Sequence, residues 1–120
     1  KGDFIGSSFQ GSTLENINFR ESSLNYANFD GASLRGANLK GSSLVGASLV
    51  GANLTGANFY GSNLSKSNLE GASLNNADLF YANLRGARGL TCEQLSKAKI
   101  NDQVKMPGYL KCEKNIASAE

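Results

Sequence analysis

Between Phe29 and Leu64 the chain reads FDGASLRGANLKGSSLVGASLVGANLTGANFYGSNL, and a period of five accounts for every position in it. A large apolar residue stands at Phe29, Leu34, Leu39, Leu44, Leu49, Leu54, Phe59 and Leu64. Two places before each comes a small one (Ala27, Ala32, Ala37, Ser42, Ala47, Ala52, Ala57, Ser62), with Asn or Ser between. A variable residue and then usually Gly complete the unit. Helical side chains recur near 3.6 residues and strand side chains at 2, so a period of five fits neither element and must itself be the architecture. The register runs without a gap from Phe4 to Leu84, seventeen Leu or Phe in succession.

Within each unit the large residue and the small one two places before it lie on the same side of a short extended segment. Both therefore point inward, and the next two residues turn a corner. A type II turn needs positive φ at its third residue, which Gly supplies without steric cost. Gly fills that place at positions 6, 11, 31, 36, 41, 46, 51, 56, 61, 71 and 86. Asn16 and Asn76 also tolerate it. Glu21, Tyr26, Lys66 and Tyr81 do not favour it, so type I or irregular corners are expected there. Ile17, a β-branched residue at a small position, is expected to swell its corner.

The unit resembles the A(D/N)LXX motif of the pentapeptide-repeat family, and the resemblance covers residues 2–88. It implies an all-β solenoid: a right-handed quadrilateral parallel β-helix with one pentad per side and four per coil. A little over four coils would stack to roughly 20 Å at ~4.8 Å per strand. Residues twenty apart should then lie above one another, forming ladders such as Asn18, Asn38, Asn58, Asp78 and Ser8, Asn28, Ser48, Asn68. These ladders are expected to bond each other and nearby backbone between coils. The sequons at Asn53 and Asn63 fall out of the repeat and carry no glycosylation argument. The resemblance implies a shape and no particular activity.

The ends depart from the repeat. Phe4, Phe9, Phe19 and Phe29 concentrate near the N-terminus and are expected to fill a wide first coil. That coil presents a parallel strand edge, which a second copy of the chain in a homodimer, or residues upstream of Lys1, would cover. At the other end Gly89 stands where the next Leu belongs. Thr91-Cys-Glu-Gln94 then reads as a capping box, opening a helix from Cys92 to Lys99 that lays Leu95 and Ala98 on the last coil. Two units are expected: the array 1–89 and a C-terminal helical cap and tail 90–120. Met106 to Leu110 should return an apolar segment to that cap, and Asn115 to Glu120 are expected to be disordered.

Charge excludes some partners. Residues 1–89 carry seven Lys/Arg and six Asp/Glu, and residues 90–120 five and four, giving +1 and +1 of the total +2. Along the corners these are scattered by sign, with no strong field to draw nucleic acid or an anionic membrane. No apolar run approaches the ~20 residues that span a bilayer, so no membrane insertion is expected. With no His, no phosphate loop and no nucleophile elbow, neither a catalytic site nor a cofactor or metal site is indicated.

Two residues and one column remain as candidate sites. Cys92 and Cys112 both follow the array; a disulfide between them is expected, with free thiols or a redox pair as the other readings. A disulfide places the chain in an oxidising compartment, and the family resemblance points to the periplasm or thylakoid lumen. The corner column Arg20, Lys40, Tyr60, Phe80, with Tyr81 beside it, passes from charge to aromatic. Either the segment around Met106 to Leu110 folds over Phe80 and Tyr81, or the column is an exposed patch for a partner protein. The expected function is a non-enzymatic scaffold or protein-binding module. The family's alternative role, a DNA-mimicking gyrase-interacting rod, requires a strongly acidic surface. An ice-binding face would need ranked Thr, and the repeats hold only Thr13 and Thr55.

Overall fold

A pentad encloses no interior by itself, so each must stack on the pentads twenty residues before and after it. The computed structural model, which describes residues 1–112, is built on that spacing. Parallel bridges join residues twenty apart from Asp3↔Ser23 through Asn68↔Arg88, so four pentads make one coil. The first side runs through Phe4, Leu24, Leu44, Leu64 and Leu84, the second through Phe9, Phe29, Leu49 and Leu69. The third runs through Leu14, Leu34, Leu54 and Leu74, the fourth through Phe19, Leu39, Phe59 and Leu79. From Phe19 onward these side chains and the intervening alanines are buried in one continuous column. The expected Asn115 to Glu120 disorder lies outside the described residues.

One pentad shows where every backbone N–H goes, and that accounting explains the repeat. Ala27 N–H closes the corner onto Leu24 O at 3.1 Å, Asn28 N–H points down to Ser7 O at 2.9 Å, and Phe29 N–H points up to Ser48 O at 2.7 Å. Gly31 N–H also rises, to Val50 O at 2.9 Å. The remaining donor, on Asp30, is taken by the Asn28 side-chain oxygen at 2.8 Å. The same Asx turn holds Arg20, Lys40, Thr55, Tyr60, Ser65, Glu70, Phe80 and Arg85. The polar ladders therefore serve their own corners, where bonds from one rung to the next were expected. An amide two residues before the corner donor reaches it within one turn, and a rung on the next coil does not. At Ser43 and Ser48, which stand in place of Asn, the coil below supplies the acceptor: Asn25 Oδ1 takes Ser43 Oγ and Val45 N–H, and Asp30 Oδ1 takes Ser48 Oγ and Val50 N–H.

The four corners expected to be irregular are regular. Glu21, Tyr26, Lys66 and Tyr81 take φ of 55°, 63°, 61° and 64°, beside 61° at Asn16 and 60° at Asn76. The left-handed conformation costs a non-Gly residue about 1–2 kcal/mol. Here it is enforced from both sides of the corner, as at Tyr26, whose N–H bonds Val45 O at 2.9 Å while Ala27 N–H bonds Leu24 O at 3.1 Å. Four of these bulky corners, Asn16, Glu21, Tyr26 and Lys66, also lie beneath a Gly, while Tyr81 lies beneath Asn101. A Cβ on Gly46 would meet the Tyr26 ring at 2.5 Å, one on Gly36 would strike Asn16 Oδ1, and Glu21 and Lys66 underlie Gly41 and Gly86 at 3.3 Å. Ile17 swells nothing that pairs: it is half-buried, Asn38 N–H reaches its carbonyl at 2.9 Å, and the Asn18↔Asn38 bridge is intact. It belongs to the first coil, where a branched side chain has room below.

Phe4 and Phe9 are half-buried and close the lower end of the column. Phe4 meets Phe9 and Phe19 edge-on at centroid distances of 6.0 and 5.3 Å, and Phe9 stacks on Phe29 at 5.0 Å. At the upper end Gly89, at φ 77°, turns the chain against the backbone of Glu70. Helix α1 follows, Cys92–Ser96, shorter than the expected Cys92–Lys99. The capping box is present: Thr91 Oγ1 accepts from Gln94 N–H at 3.1 Å, and Gln94 Oε1 accepts from Thr91 N–H at 2.7 Å. The helix stops early because the chain returns to edge pairing. Asn76 N–H donates to Lys97 O at 2.7 Å, Lys99 bridges Asp78, and Lys105 bridges Asn83. Leu95 is buried and Ala98 packs half-buried on the column, as expected.

Candidate functional site

The column Arg20, Lys40, Tyr60, Phe80 occupies the corner between the fourth and first sides. Each member is placed identically, its N–H held by the side-chain oxygen of Asn18, Asn38, Asn58 or Asp78. Stacking brings the side chains into contact in sequence. Lys40 Nζ lies over the Tyr60 ring, 5.2 Å from its centroid, within cation–π range. The Tyr60 and Tyr81 rings are 5.2 Å apart and inclined at 58°. At the lower end Arg20 turns to Glu21 at 3.9 Å, both exposed.

Among the described residues, the segment from Met106 to Leu110 packs elsewhere than over this corner. Lys105 N–H donates to Ala82 O at 3.1 Å and Lys105 O accepts from Leu84 N–H at 2.7 Å, which carries the chain across the first side. Tyr109 then hangs from Leu90, its hydroxyl accepting from Leu90 N–H at 2.9 Å and donating to Leu90 O at 3.2 Å. Pro107 is buried and Met106 and Leu110 pack against the column. Tyr60 is left 37% exposed and Tyr81 51%, with Phe80 half-buried. From the segment beyond the array, Asn101 reaches the corner by a hydrogen bond, accepting from Tyr81 N–H at 3.3 Å. The corner thus carries a cation and two tyrosines in series along one edge of the stack.

Cys92 and Cys112 form a disulfide, with Cα atoms 5.4 Å apart. It links the start of α1 to the segment that Tyr109 anchors. Tyr26, 67% exposed on the opposite corner of the first side, and the exposed Ile5 were not singled out by the sequence. Both stand alone in the linear repeat, and only the twenty-residue stacking places them around the same side. Among the described residues, no helix is long and apolar enough to cross a membrane.

No curated protein matches the chain. Solved structures that resemble it include HetL, a pentapeptide repeat protein involved in heterocyst differentiation regulation from the cyanobacterium Nostoc sp. strain PCC 7120 (26% identity, TM-score 0.40, 88% of this chain and 58% of that one); a second pentapeptide repeat protein from Nostoc PCC 7120 (27%, 0.48, 92% and 84%); and one from the Arabidopsis thaliana thylakoid lumen (27%, 0.31, 95% and 70%). The chain thus spans little more than half of HetL. The family model for pentapeptide repeats matches in eight copies over residues 3–41, 32–71 and 57–88, the stretch that forms the stacked coils. The chain belongs to the pentapeptide-repeat family.

Proposed function

We propose that the chain is a non-enzymatic scaffold or protein-binding module of an oxidising compartment, periplasm or thylakoid lumen, that meets a partner protein through the corner of Lys40, Tyr60, Phe80 and Tyr81. Arg20 marks its lower limit. The observation that carries this reading is the contact between two solvent-exposed tyrosines, Tyr60 and Tyr81, beside a segment that packs elsewhere. Exposed aromatics on a rigid frame suit an interface, because little freedom remains to be lost on binding. Residues 1–89 act as that frame, and the second unit, 90–120, is its helical cap and tail, of which the described part, 90–112, closes the upper end. The Cys92–Cys112 disulfide supports the compartment. A second copy of the chain meeting the first coil is the homotypic form of the same role, tested by sedimentation across a concentration series.

The test is affinity capture from periplasmic or lumenal extract with three oxidised baits: wild type, Tyr60→Ser with Tyr81→Ser, and Tyr26→Ser. Proteins held by wild type and Tyr26→Ser and lost by the double variant, at an unchanged thermal midpoint, are expected. Identical capture by all three baits would overturn the corner as a binding site.

A further inference from the structure

Along the sequence the two signs are scattered; around the solenoid they sort by side. The first side and its two corners carry Lys1, Arg20, Lys40, Lys66, Arg85 and Lys105 against Asp3, Glu21 and Asp102. Arg20 pairs with Glu21, the only ion pair among the described residues, and Asp3 lies in the lowest row. From Ser23 upward that leaves Lys40, Lys66, Arg85 and Lys105, with Asp102 as the one carboxylate, at the top of the Tyr81 corner. The other described carboxylates lie elsewhere, and several are engaged there. Glu15 accepts from Ser33 Oγ, Asp30 from Ser48 Oγ and Val50 N–H, and Asp78 from Phe80 N–H.

Between the two corners runs a flat uncharged strip, Ser23, Ser43, Asn63 and Asn83, bridged rung to rung and continued by Lys105. Its amides are not neutral in hydrogen-bonding sense. Asn63 Oδ1 is taken up by Ser65 N–H at 3.0 Å and Asn83 Oδ1 by Arg85 N–H at 3.0 Å. Each Asn thus commits its amide oxygen to its own corner and keeps its NH2 without a partner among the described residues. The strip offers donors, the flanks offer cations, and the Tyr60–Tyr81 pair lines one border.

We propose that the first side docks an extended acidic segment of a partner protein, its carboxylates meeting Lys40, Lys66, Arg85 and Lys105 and its apolar residues meeting Tyr60 and Tyr81. This rests on the reading of the aromatic corner as a protein-binding surface and names the chemistry of what it binds. Charge complementarity selects the acidic partner. Four separated cations suit spaced carboxylates and fall short of the dense neutralisation that a phosphate backbone demands.

The probe is a fluorescein-labelled peptide of alternating Glu and Ala, with its Gln–Ala counterpart as reference, read by anisotropy at low ionic strength. Wild type should bind the Glu peptide and not the Gln peptide, and lose it as salt rises. Lys66→Glu with Arg85→Glu, on the corner away from the tyrosines, should weaken binding about tenfold at an unchanged thermal midpoint. Arg35→Glu with Arg88→Glu makes the same charge change on other sides and should leave binding within about twofold. Equal weakening by both pairs, no binding by wild type, or equally tight binding of a single-stranded DNA of the same length overturns the proposal. If Tyr60→Ser with Tyr81→Ser captures what wild type captures while Lys66→Glu with Arg85→Glu still loses the peptide, the aromatic reading falls and the acidic dock stands. If capture is lost with the tyrosines while the charge-reversed pair keeps the peptide, the acidic dock falls and the aromatic corner stands.

Discussion

Leu54 and Thr55 are neighbours with opposite energetic weight. Leu54 is 0% exposed, between Leu34 below and Leu74 above. Thr55 is half-buried at the corner, and its N–H is held at 3.1 Å by Asn53 Oδ1, a bond that survives loss of the hydroxyl. Leu54→Ala should cost about 2–5 kcal/mol through lost burial and the cavity left behind, and Thr55→Ala no more than about 0.5 kcal/mol. Denaturant titration of the two variants checks the difference. The residues that point inward were legible from the period alone, because strand alternation assigns them without further information. What the Asn positions do was not legible. The period shows that an amide belongs before each large residue, but only the count of backbone donors shows that it completes a corner.

At the scale of the element, corners and terminal segment obey different rules. Gly51 adopts φ 68° with nothing within 4 Å of where a Cβ would be, so Gly51→Ala should cost only the conformational strain, about 1 kcal/mol. Gly89 has φ 77°, and its Cβ would lie 2.6 Å from Glu70 Cα and 2.7 Å from Glu70 N. Backbone cannot step aside, so Gly89→Ala should add an overpacking cost of about 1–3 kcal/mol to that strain and loosen residues 90–112 selectively. Hydrogen exchange resolves which amides respond. Reduction of Cys92–Cys112, which closes a separation of 20 residues, removes roughly 3 kcal/mol in the chain-entropy model. It should raise exchange at Leu95, Lys99 and Lys105 and leave Leu44 to Leu64 protected, since stacked repeats open from their ends. The capping box was readable at Thr91 and Gln94. The early stop of α1 was not, because edge pairing by Lys97 and Lys99 depends on carbonyls and amides of the coil beneath.

For the whole molecule, the four-sided stack was legible because every unit from Phe4 to Leu84 states the same register. The partner surface was only half legible. The column Arg20, Lys40, Tyr60, Phe80 follows from counting in twenties, whereas the route of Met106 to Leu110 is set by Tyr109 and Lys105 finding partners on Leu90 and Ala82. The resting of Asn16, Glu21, Tyr26 and Lys66 beneath glycines has a consequence for changes in chain length. A deletion of five residues rotates everything beyond it by a quarter turn and parts Lys40 from Tyr60, so lengths can change only in steps of twenty. Even those steps are not equivalent. Removing residues 47–66 leaves Gly86 above Gly46 and every corner column compatible. Removing 42–61 discards Gly46 and sets Lys66 directly on Tyr26, where the Tyr26 ring already lies 2.5 Å from any added Cβ. The first truncation should melt as one cooperative stack and the second well below it in a thermal scan, so that insertions and deletions in this chain are counted by coil and then sorted by which glycine they spare.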